Sequence, residues 1–89
     1  MKEITLGTLF RIAKQYTSDT KERLMAVSMA CQDRGLWTMH RQLRQTVSMS
    51  FAWWPKTDSG KAAYHAIVVY IIKMENEEEA AQWPDWPRP

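Results

Sequence analysis

Few residues of this chain have types and spacings that could perform chemistry. Cys31, His40 and His65 could form a thiol–imidazole pair, the arrangement that activates a nucleophilic cysteine. Cys31 falls on the apolar stripe of a predicted helix, however, where a small buried hydrophobic side chain is the ordinary expectation. We therefore predict no catalytic residue, no cofactor and no enzyme activity.

Two further segments match binding motifs only in part. Ser59-Gly60-Lys61 resembles the end of a phosphate-binding loop, but the first glycine of that motif is missing and a turn is expected there. Glu75, Glu77, Glu78 and Glu79 lack the alternating Asp/Asn and the glycine of a calcium loop. We interpret these acids as a solvated face or as an acidic patch for a partner, and we predict no metal site.

Basic and aromatic residues cluster in the middle of the chain. The cluster comprises Arg41, Arg44, Lys56 and Lys61, together with Trp53 and Trp54. Such a mixture can pair with phosphates and stack on bases, and two helices followed by a hairpin invite comparison with winged-helix DNA-binding domains. No recognition helix rich in Arg, Asn and Gln stands out. Nucleic-acid binding by the basic hairpin is therefore the alternative function.

The C-terminal tail carries two tryptophans among prolines. Pro84, Pro87 and Pro89 hold Trp83 and Trp86 in extended geometry. Tryptophan is enriched at binding hot spots because it buries a large area. The two indoles are expected either to fold back on the chain's own sheet or to contact another subunit or protein.

Protein binding is the leading function that the sequence predicts. The candidate contact residues are Trp54, Trp83, Trp86, Glu77 and Glu78. The small size, the lack of catalytic groups and the tryptophan content are compatible with the inhibitor or accessory proteins that phages and mobile elements encode. Such a protein would act by occluding a partner's surface. The identity of the partner does not follow from the sequence.

Two amphipathic helices are predicted at the N-terminus. Leu6, Leu9, Phe10 and Ala13 follow the i, i+3, i+4, i+7 spacing of the first, and Thr5 or Thr8 could cap it. A second helix of about four turns begins after Asp19, which with Glu22 resembles a capping box. Gly35 is placed to end that helix.

After Gly35 the hydrophobic period changes to two. Trp37, Met39, Leu43, Val47, Met49, Phe51 and Trp53 occupy odd positions, and only Arg41 and Gln45 break the apolar series. This alternation predicts a half-buried strand over Trp37–Trp54, although a helical turn over 37–43 is an alternative. Pro55–Gly60 has the composition of a turn, and Tyr64–Met74 is rich in β-branched and aromatic residues. The pattern predicts a long antiparallel hairpin.

The predicted fold is therefore α+β, with the two helices packed on the hairpin. Residues 1–82 are expected to form one domain, with a short acidic helical turn at Glu75–Ala81, and residues 83–89 an extended tail. The second strand is apolar on both alternating faces, so one face needs a cover. The tail or a second copy of the chain could supply it, and a homodimer is expected.

Length, charge and cysteine content bound the class of protein. The 89 residues carry a net charge of +2, divided into +6 over residues 1–74 and −4 over residues 75–89. No apolar run approaches the roughly 18 residues that span a bilayer. A single cysteine cannot form an intrachain disulfide and suits a reducing compartment. We expect a cytoplasmic protein.

Overall fold

The computed structural model describes residues 4–46 and 54–82, and all regular structure within these two stretches is helical. Helix α1 spans Leu6–Tyr16, α2 spans Thr20–Asp33, α3 spans Trp37–Thr46 and α4 spans Asp58–Gln82. Helix α4 packs against α1 and α2, whereas α3 packs mainly against α2. The described part of the chain is a small helical bundle, and the α+β prediction is wrong.

The two predicted N-terminal helices are present. Thr5 is the N-cap of α1, where its hydroxyl oxygen accepts the backbone N–H of Thr8 at 3.2 Å. Asp19 is the N-cap of α2, and its Oδ1 accepts the N–H groups of Lys21 at 2.9 Å and Glu22 at 3.3 Å. These bonds satisfy amide donors that have no partner within the first helical turn.

The capping box at Asp19 is only half formed. Its second half would need the Glu22 side chain to reach back to the N–H of Asp19, but that N–H donates to the Thr17 hydroxyl at 3.2 Å. The Glu22 carboxylate instead accepts the backbone N–H groups of Lys56 and Thr57, just before α4. A residue predicted to cap its own helix therefore caps the helix packed beside it.

Gly35 ends α2 as predicted. Its φ of +71° lies in the left-handed region, which suits glycine because a Cβ would be strained there. The N–H of Gly35 donates to the carbonyl of Gln32 at 3.2 Å, and the N–H of Leu36 donates to the carbonyl of Cys31 at 2.8 Å. This pair of bonds is the Schellman motif, and it turns the chain sharply into α3.

We expect Gly35→Ala to lower the free energy of unfolding by about 1 kcal/mol, because alanine is strained at positive φ. A Cβ there would meet only the Trp37 indole at 3.7 Å, so strain rather than a clash causes the loss. Gly7→Ala is the matched control: Gly7 lies in α1, a Cβ there would meet only the Thr5 hydroxyl oxygen at 4.0 Å, and alanine should stabilise the protein by roughly 0.5 kcal/mol. Urea unfolding measures both changes in the free energy of unfolding. If both variants lost stability, or both gained it, the left-handed conformation assigned to Gly35 would be contradicted.

The first predicted strand, Trp37–Trp54, is wrong over its described part. Residues 37–46 form α3, and residues 47–53 lie outside the described residues. Leu36, Met39 and Leu43, spaced i, i+3, i+7, pack against the core, while Trp37 is 61% exposed. In a helix of 3.6 residues per turn, Arg41 and Gln45 lie on the side opposite this apolar stripe. The helix therefore explains why these two odd-numbered positions are polar.

The second predicted strand, Tyr64–Met74, forms the middle of α4. Ala63, Ile67, Ile71 and Met74 lie on one helical stripe and are buried, whereas Val69 is 56% exposed. Valine and isoleucine are less favourable than alanine in a helix by under about 0.7 kcal/mol each, so burial of this stripe outweighs their preference for strands. No β-hairpin exists within the described residues.

The core lies where α1, α2 and α4 meet. Its buried members are Leu9, Ala13, Ala26, Val27, Ala30, Cys31, Leu43, Ala63, Ile67 and Ile71.

Two contacts show that α2 and α4 run in the same direction. Glu22 at the start of α2 accepts the backbone N–H of Lys56, just before α4, and Arg34 at the end of α2 pairs with Glu75, far along α4, at 3.1 Å. The small side chains of α2 allow the two helices to approach closely.

The remaining predicted segments join α4. The expected turn Pro55–Gly60 leads into this helix, and Gly60 already belongs to its first turn. The acidic segment Glu75–Ala81 is helical, but it continues α4 instead of forming a separate turn. The tail, residues 83–89, lies outside the described residues. In the described stretches, no helix combines the length and apolarity needed to cross a membrane.

Candidate nucleic-acid interface

The outer face of α3 brings aromatic and basic side chains together. Five side chains spaced i, i+3, i+4, i+7, i+8 line an open cavity of about 520 Å³: Trp37, His40, Arg41, Arg44 and Gln45. This spacing places them on one side of the helix. We call this surface the α3 face.

The α3 face is held outward by apolar contacts behind it. Leu43 is 5% exposed, and Leu36 and Met39 pack against the core cluster. The Schellman turn fixes where α3 starts, and the N–H of His40 already donates to the carbonyl of Leu36 at 3.0 Å. Two helices joined by a short glycine-containing turn have the connectivity of a helix-turn-helix unit. Here α2 is the supporting helix and α3 is the exposed one.

Every side chain of α3 is either positively charged or neutral. The helix contains Arg41 and Arg44, both exposed, and no acidic residue. Burial and the nearby charge of Arg44 lower the pKa of His40 below its ordinary value of 6.5. His40 is therefore neutral at pH 7, with one ring nitrogen that donates and one that accepts.

The two rings of the α3 face contact each other. Trp37 and His40 meet edge to face, with ring centroids 6.4 Å apart and an interplanar angle of 89°. This arrangement suits the charge distribution of aromatic rings. The indole remains 61% exposed. The face therefore offers two neighbouring rings beside two charged guanidinium groups.

The structure separates the four basic residues that the sequence grouped together. Arg41 and Arg44 lie on the α3 face, but Lys56 and Lys61 lie at the start of α4 and are not among the described lining residues of the cavity. The backbone N–H of Lys56 is bound to Glu22, while its side chain is exposed. In the stretches that the structure describes, the segments of the hairpin that was expected to unite all four are helical.

The predicted partner-binding residues are dispersed. Trp54 is 46% exposed, and its indole packs against the ring of Tyr64 with centroids 5.1 Å apart. Glu77 is exposed on α4, Glu78 lies in α4 with a side chain outside the description, and Trp83 and Trp86 lie outside the described residues. The structure brings no two of these five into contact within its described part.

Tyr64 connects the Trp54 region to the end of α2. Its hydroxyl donates a hydrogen bond to the Asp33 carboxylate. This bond, with burial and the charge of Asp33, raises the pKa of Tyr64 to about 12, so the phenol stays protonated at physiological pH. The Tyr64 ring that packs against the Trp54 indole is therefore itself bonded to the end of α2.

The thiol considered for chemistry is buried in the core. Cys31 has 0% exposure, and burial raises its pKa to about 11. Such a thiol is almost wholly protonated at neutral pH, which is the unreactive form. No hydrogen bond in the described residues joins it to His40 or His65. In the same residues, no group of three or more His, Cys, Asp or Glu side chains could hold a metal ion.

Sequence reasoning missed three members of the α3 face. Trp37 was assigned to the apolar, odd-numbered side of a strand, Gln45 was treated as an interruption of that same side, and His40 was assigned to the polar side. The available signal was the position of Gly35 directly before Leu36, Met39 and Leu43, whose spacing fits one helical stripe. A helix starting at Trp37 places all five lining residues together.

Comparison with protein families, with curated proteins and with solved structures returns no match. Inference about function therefore starts from the geometry of the α3 face and of the helices around it.

Proposed function

We propose that this chain binds double-stranded DNA through the α3 face, with α3 placed in the major groove. The observation that carries the proposal is the helix-turn-helix unit whose second helix presents Trp37, His40, Arg41, Arg44 and Gln45 on one exposed side and carries no acidic residue. The winged-helix comparison required a hairpin. The present proposal requires only α2, the turn and α3.

The dimensions suit this placement. Helix α3 has 10 residues, which gives a length of about 15 Å at about 1.5 Å per residue. The major groove of B-form DNA is about 12 Å wide and admits one α-helix. Helix α3 packs mainly against α2, and Trp37, Arg41, Arg44 and Gln45 on its outer side are exposed to solvent.

The side chains match the chemistry of base edges and phosphates. Arginine bonds the O6 and N7 acceptors of guanine, and glutamine bonds the N6 and N7 of adenine. Arg41 and Gln45 are one helical turn apart, so both can face the same groove, and Arg44 is placed to contact base or phosphate. The neutral imidazole of His40 can donate or accept. The Trp37 indole offers apolar contact to a thymine methyl group or sugar.

The charge distribution supports association with a polyanion. Residues 1–74 carry +6, and the acidic residues of the chain concentrate towards the end of α4 and beyond. The proposal also keeps the expectation of a cytoplasmic protein, since a DNA-binding role requires access to nucleic acid and the single, unpaired Cys31 suits a reducing compartment.

Binding to a labelled DNA duplex tests the proposal. We expect wild-type affinity to fall steeply between about 50 and 200 mM salt, because bound cationic side chains release condensed counterions. The double variant Arg41→Ala/Arg44→Ala should bind at least about tenfold more weakly and show a salt slope reduced by about 2. Fluorescence anisotropy at several salt concentrations gives both quantities.

Arg11→Ala/Lys14→Ala is the matched control for that variant. Both residues are exposed on α1, have the same i, i+3 spacing and remove the same charge. The proposal predicts that this control keeps most of the affinity. An equal loss in both variants would indicate a diffuse charge effect, and tighter binding to single strands than to the duplex would contradict the major-groove placement.

Protein binding is a second candidate function. It is favoured by exposed apolar residues of α4 and of the segment just before it. Trp54, Val69 and Ile72 are 46%, 56% and 37% exposed. Exposed apolar groups of this size are typical of contact surfaces when they lie together. An inhibitory role of the phage-accessory type would use such a surface to occlude a partner. Val69 and Ile72 share one face of α4.

A further inference from the structure

The charged residues of α3 are both arginines. None of the lysines of the chain lies in this helix, and Arg41 and Arg44 are exposed on the α3 face. A lysine ammonium group attracts a phosphate as a point charge, whereas the planar guanidinium group of arginine has a fork of donors that bonds two neighbouring acceptors at once. The composition of the α3 face therefore suits the reading of base edges in addition to attraction by the phosphate backbone.

Gln45 lies one helical turn beyond Arg41. Both side chains are exposed, and within residues 4–46 and 54–82 no hydrogen bond or ion pair engages either of them. Their donors and acceptors are therefore available to a ligand. Residues four positions apart lie only about 40° apart around a helix of 3.6 residues per turn and about 6 Å apart along its axis, so the two side chains face the same way.

The major-groove edges of the two purines match these side chains. Guanine presents two neighbouring acceptors, O6 and N7, which fit the guanidinium fork of Arg41, and adenine presents the acceptor N7 beside the donor N6, which fits the carboxamide of Gln45. Successive bases of one strand are about 3.4 Å apart, so roughly 6 Å along α3 corresponds to about two base steps. Helix α3 carries no carboxylate, the group that would accept from the N4 donor of cytosine.

We propose that the α3 face reads neighbouring purines on one strand of the duplex: Arg41 donates to a guanine, and Gln45 bonds an adenine about two steps along the same strand. This inference rests on the proposed DNA binding and adds the class of duplex that the chain selects. Arg41 contributes both to base reading and to general affinity, because its charge also attracts phosphates. Gln45 is uncharged, so its contribution can be measured separately from the electrostatic one.

Selection from a pool of duplexes with randomised central base pairs tests the sequence preference. The protein should enrich a motif in which a guanine and an adenine keep one fixed spacing on the same strand. Replacing that adenine by 7-deazaadenine should weaken binding at least about fivefold, because the N7 acceptor is removed while base pairing is kept. A motif without this pair, or equal binding of the 7-deaza duplex, would overturn the inference. A pool that binds with a steep salt dependence but yields no motif would overturn it alone, whereas a pool that does not bind would also refute the proposed function.

Gln45→Ala tests the role of that residue in base reading. The variant removes no charge, so a loss of preference cannot come from weaker attraction to phosphates. We expect it to bind the selected duplex at least about fivefold more weakly and to accept any base at the adenine position. Gln15→Ala, at an exposed position of α1, is the matched control and should keep the wild-type preference. Circular dichroism verifies that both variants stay helical. A Gln45→Ala variant that still selects adenine, or a Gln15→Ala variant that loses the preference equally, would contradict the assignment.

Discussion

Glu22→Ala is expected to lower the free energy of unfolding by about 3 kcal/mol, an effect far larger than that of an average surface substitution. The Glu22 side chain is 4% exposed, and its carboxylate accepts the N–H groups of Lys56 at 3.0 Å and Thr57 at 2.6 Å. Alanine would leave both donors without these acceptors. It would also remove a negative charge from the N-terminal end of α4, where the helix dipole favours one.

The Glu22 carboxylate packs closely against Gly60. A Cβ built on Gly60 would lie 3.1 Å from the Glu22 carboxylate carbon, from Glu22 Oε2 and from the Cβ of Pro55. The glycine provides the space in which the carboxylate sits. Removal of the carboxylate therefore leaves a buried void beside unpaired amides, which adds to the loss.

Glu22→Gln separates charge from shape. The amide oxygen can still accept one N–H, but the amide nitrogen cannot, so we expect a loss of about 1–2 kcal/mol, between wild type and Glu22→Ala. Glu77→Ala, on the exposed side of α4, is the control and should change stability by under about 0.5 kcal/mol. Urea unfolding followed by circular dichroism measures all three. Equal values for Glu22→Ala and Glu77→Ala would refute the capping role.

Ile67→Ala should lower the free energy of unfolding by about 3 kcal/mol, whereas Val69→Ala should lower it by under about 1 kcal/mol. Ile67 is fully buried between α4 and its neighbours, while Val69 is 56% exposed. In a strand these two residues share one face and should respond alike. In a helix they lie about 200° apart, so only one of them can face the core.

Protein concentration must be controlled in that comparison. Val69 is exposed, and any contact that it makes with another molecule stabilises the folded state by mass action, which makes apparent stability depend on concentration. Measurements on dilute protein, in which the monomer dominates, report the fold alone. Similar losses for the two variants under dilute conditions would favour the strand over α4.

Local signals in the sequence predicted the first half of the bundle well. The caps Thr5 and Asp19 and the terminator Gly35 act over three to five residues, so their partners are close in sequence. The apolar spacing of α1 is also unambiguous. These features need no knowledge of the rest of the chain, which is why two helices and their ends could be inferred correctly.

The second half failed because its pattern fits two periods. A run such as Ile67–Ile72 is apolar at every position, so it satisfies a strand and a buried helical stripe equally well. Its β-branched composition then favoured the wrong choice. Tertiary contacts decide in favour of the helix: Ala63, Ile67 and Ile71 pack against α1 and α2, and the amides before α4 donate to Glu22. These contacts join residues far apart in the sequence, so they cannot be inferred from neighbouring residues.

The residues of the α3 face were likewise predicted only in part. Arg41 and Arg44 were identified from charge alone, and charge does not depend on the secondary structure. The association of Trp37, His40 and Gln45 with them depends entirely on helical spacing. An interpretation as a strand splits the five residues between two faces, and the helical face that they share is then lost.

The contacts that join α2 to α4 also bear on how the chain folds during synthesis. The bonds from Glu22 to Lys56, from Arg34 to Glu75 and from Tyr64 to Asp33 connect residues 34, 41 and 31 positions apart. Ribosomes add about 5–20 residues per second, so the apolar side of α2 emerges seconds before the helix that covers it. In that interval Ala26, Val27, Ala30 and Cys31 stay accessible to chaperones and proteases. The yield of folded protein is therefore set by how quickly α4 docks once it is made.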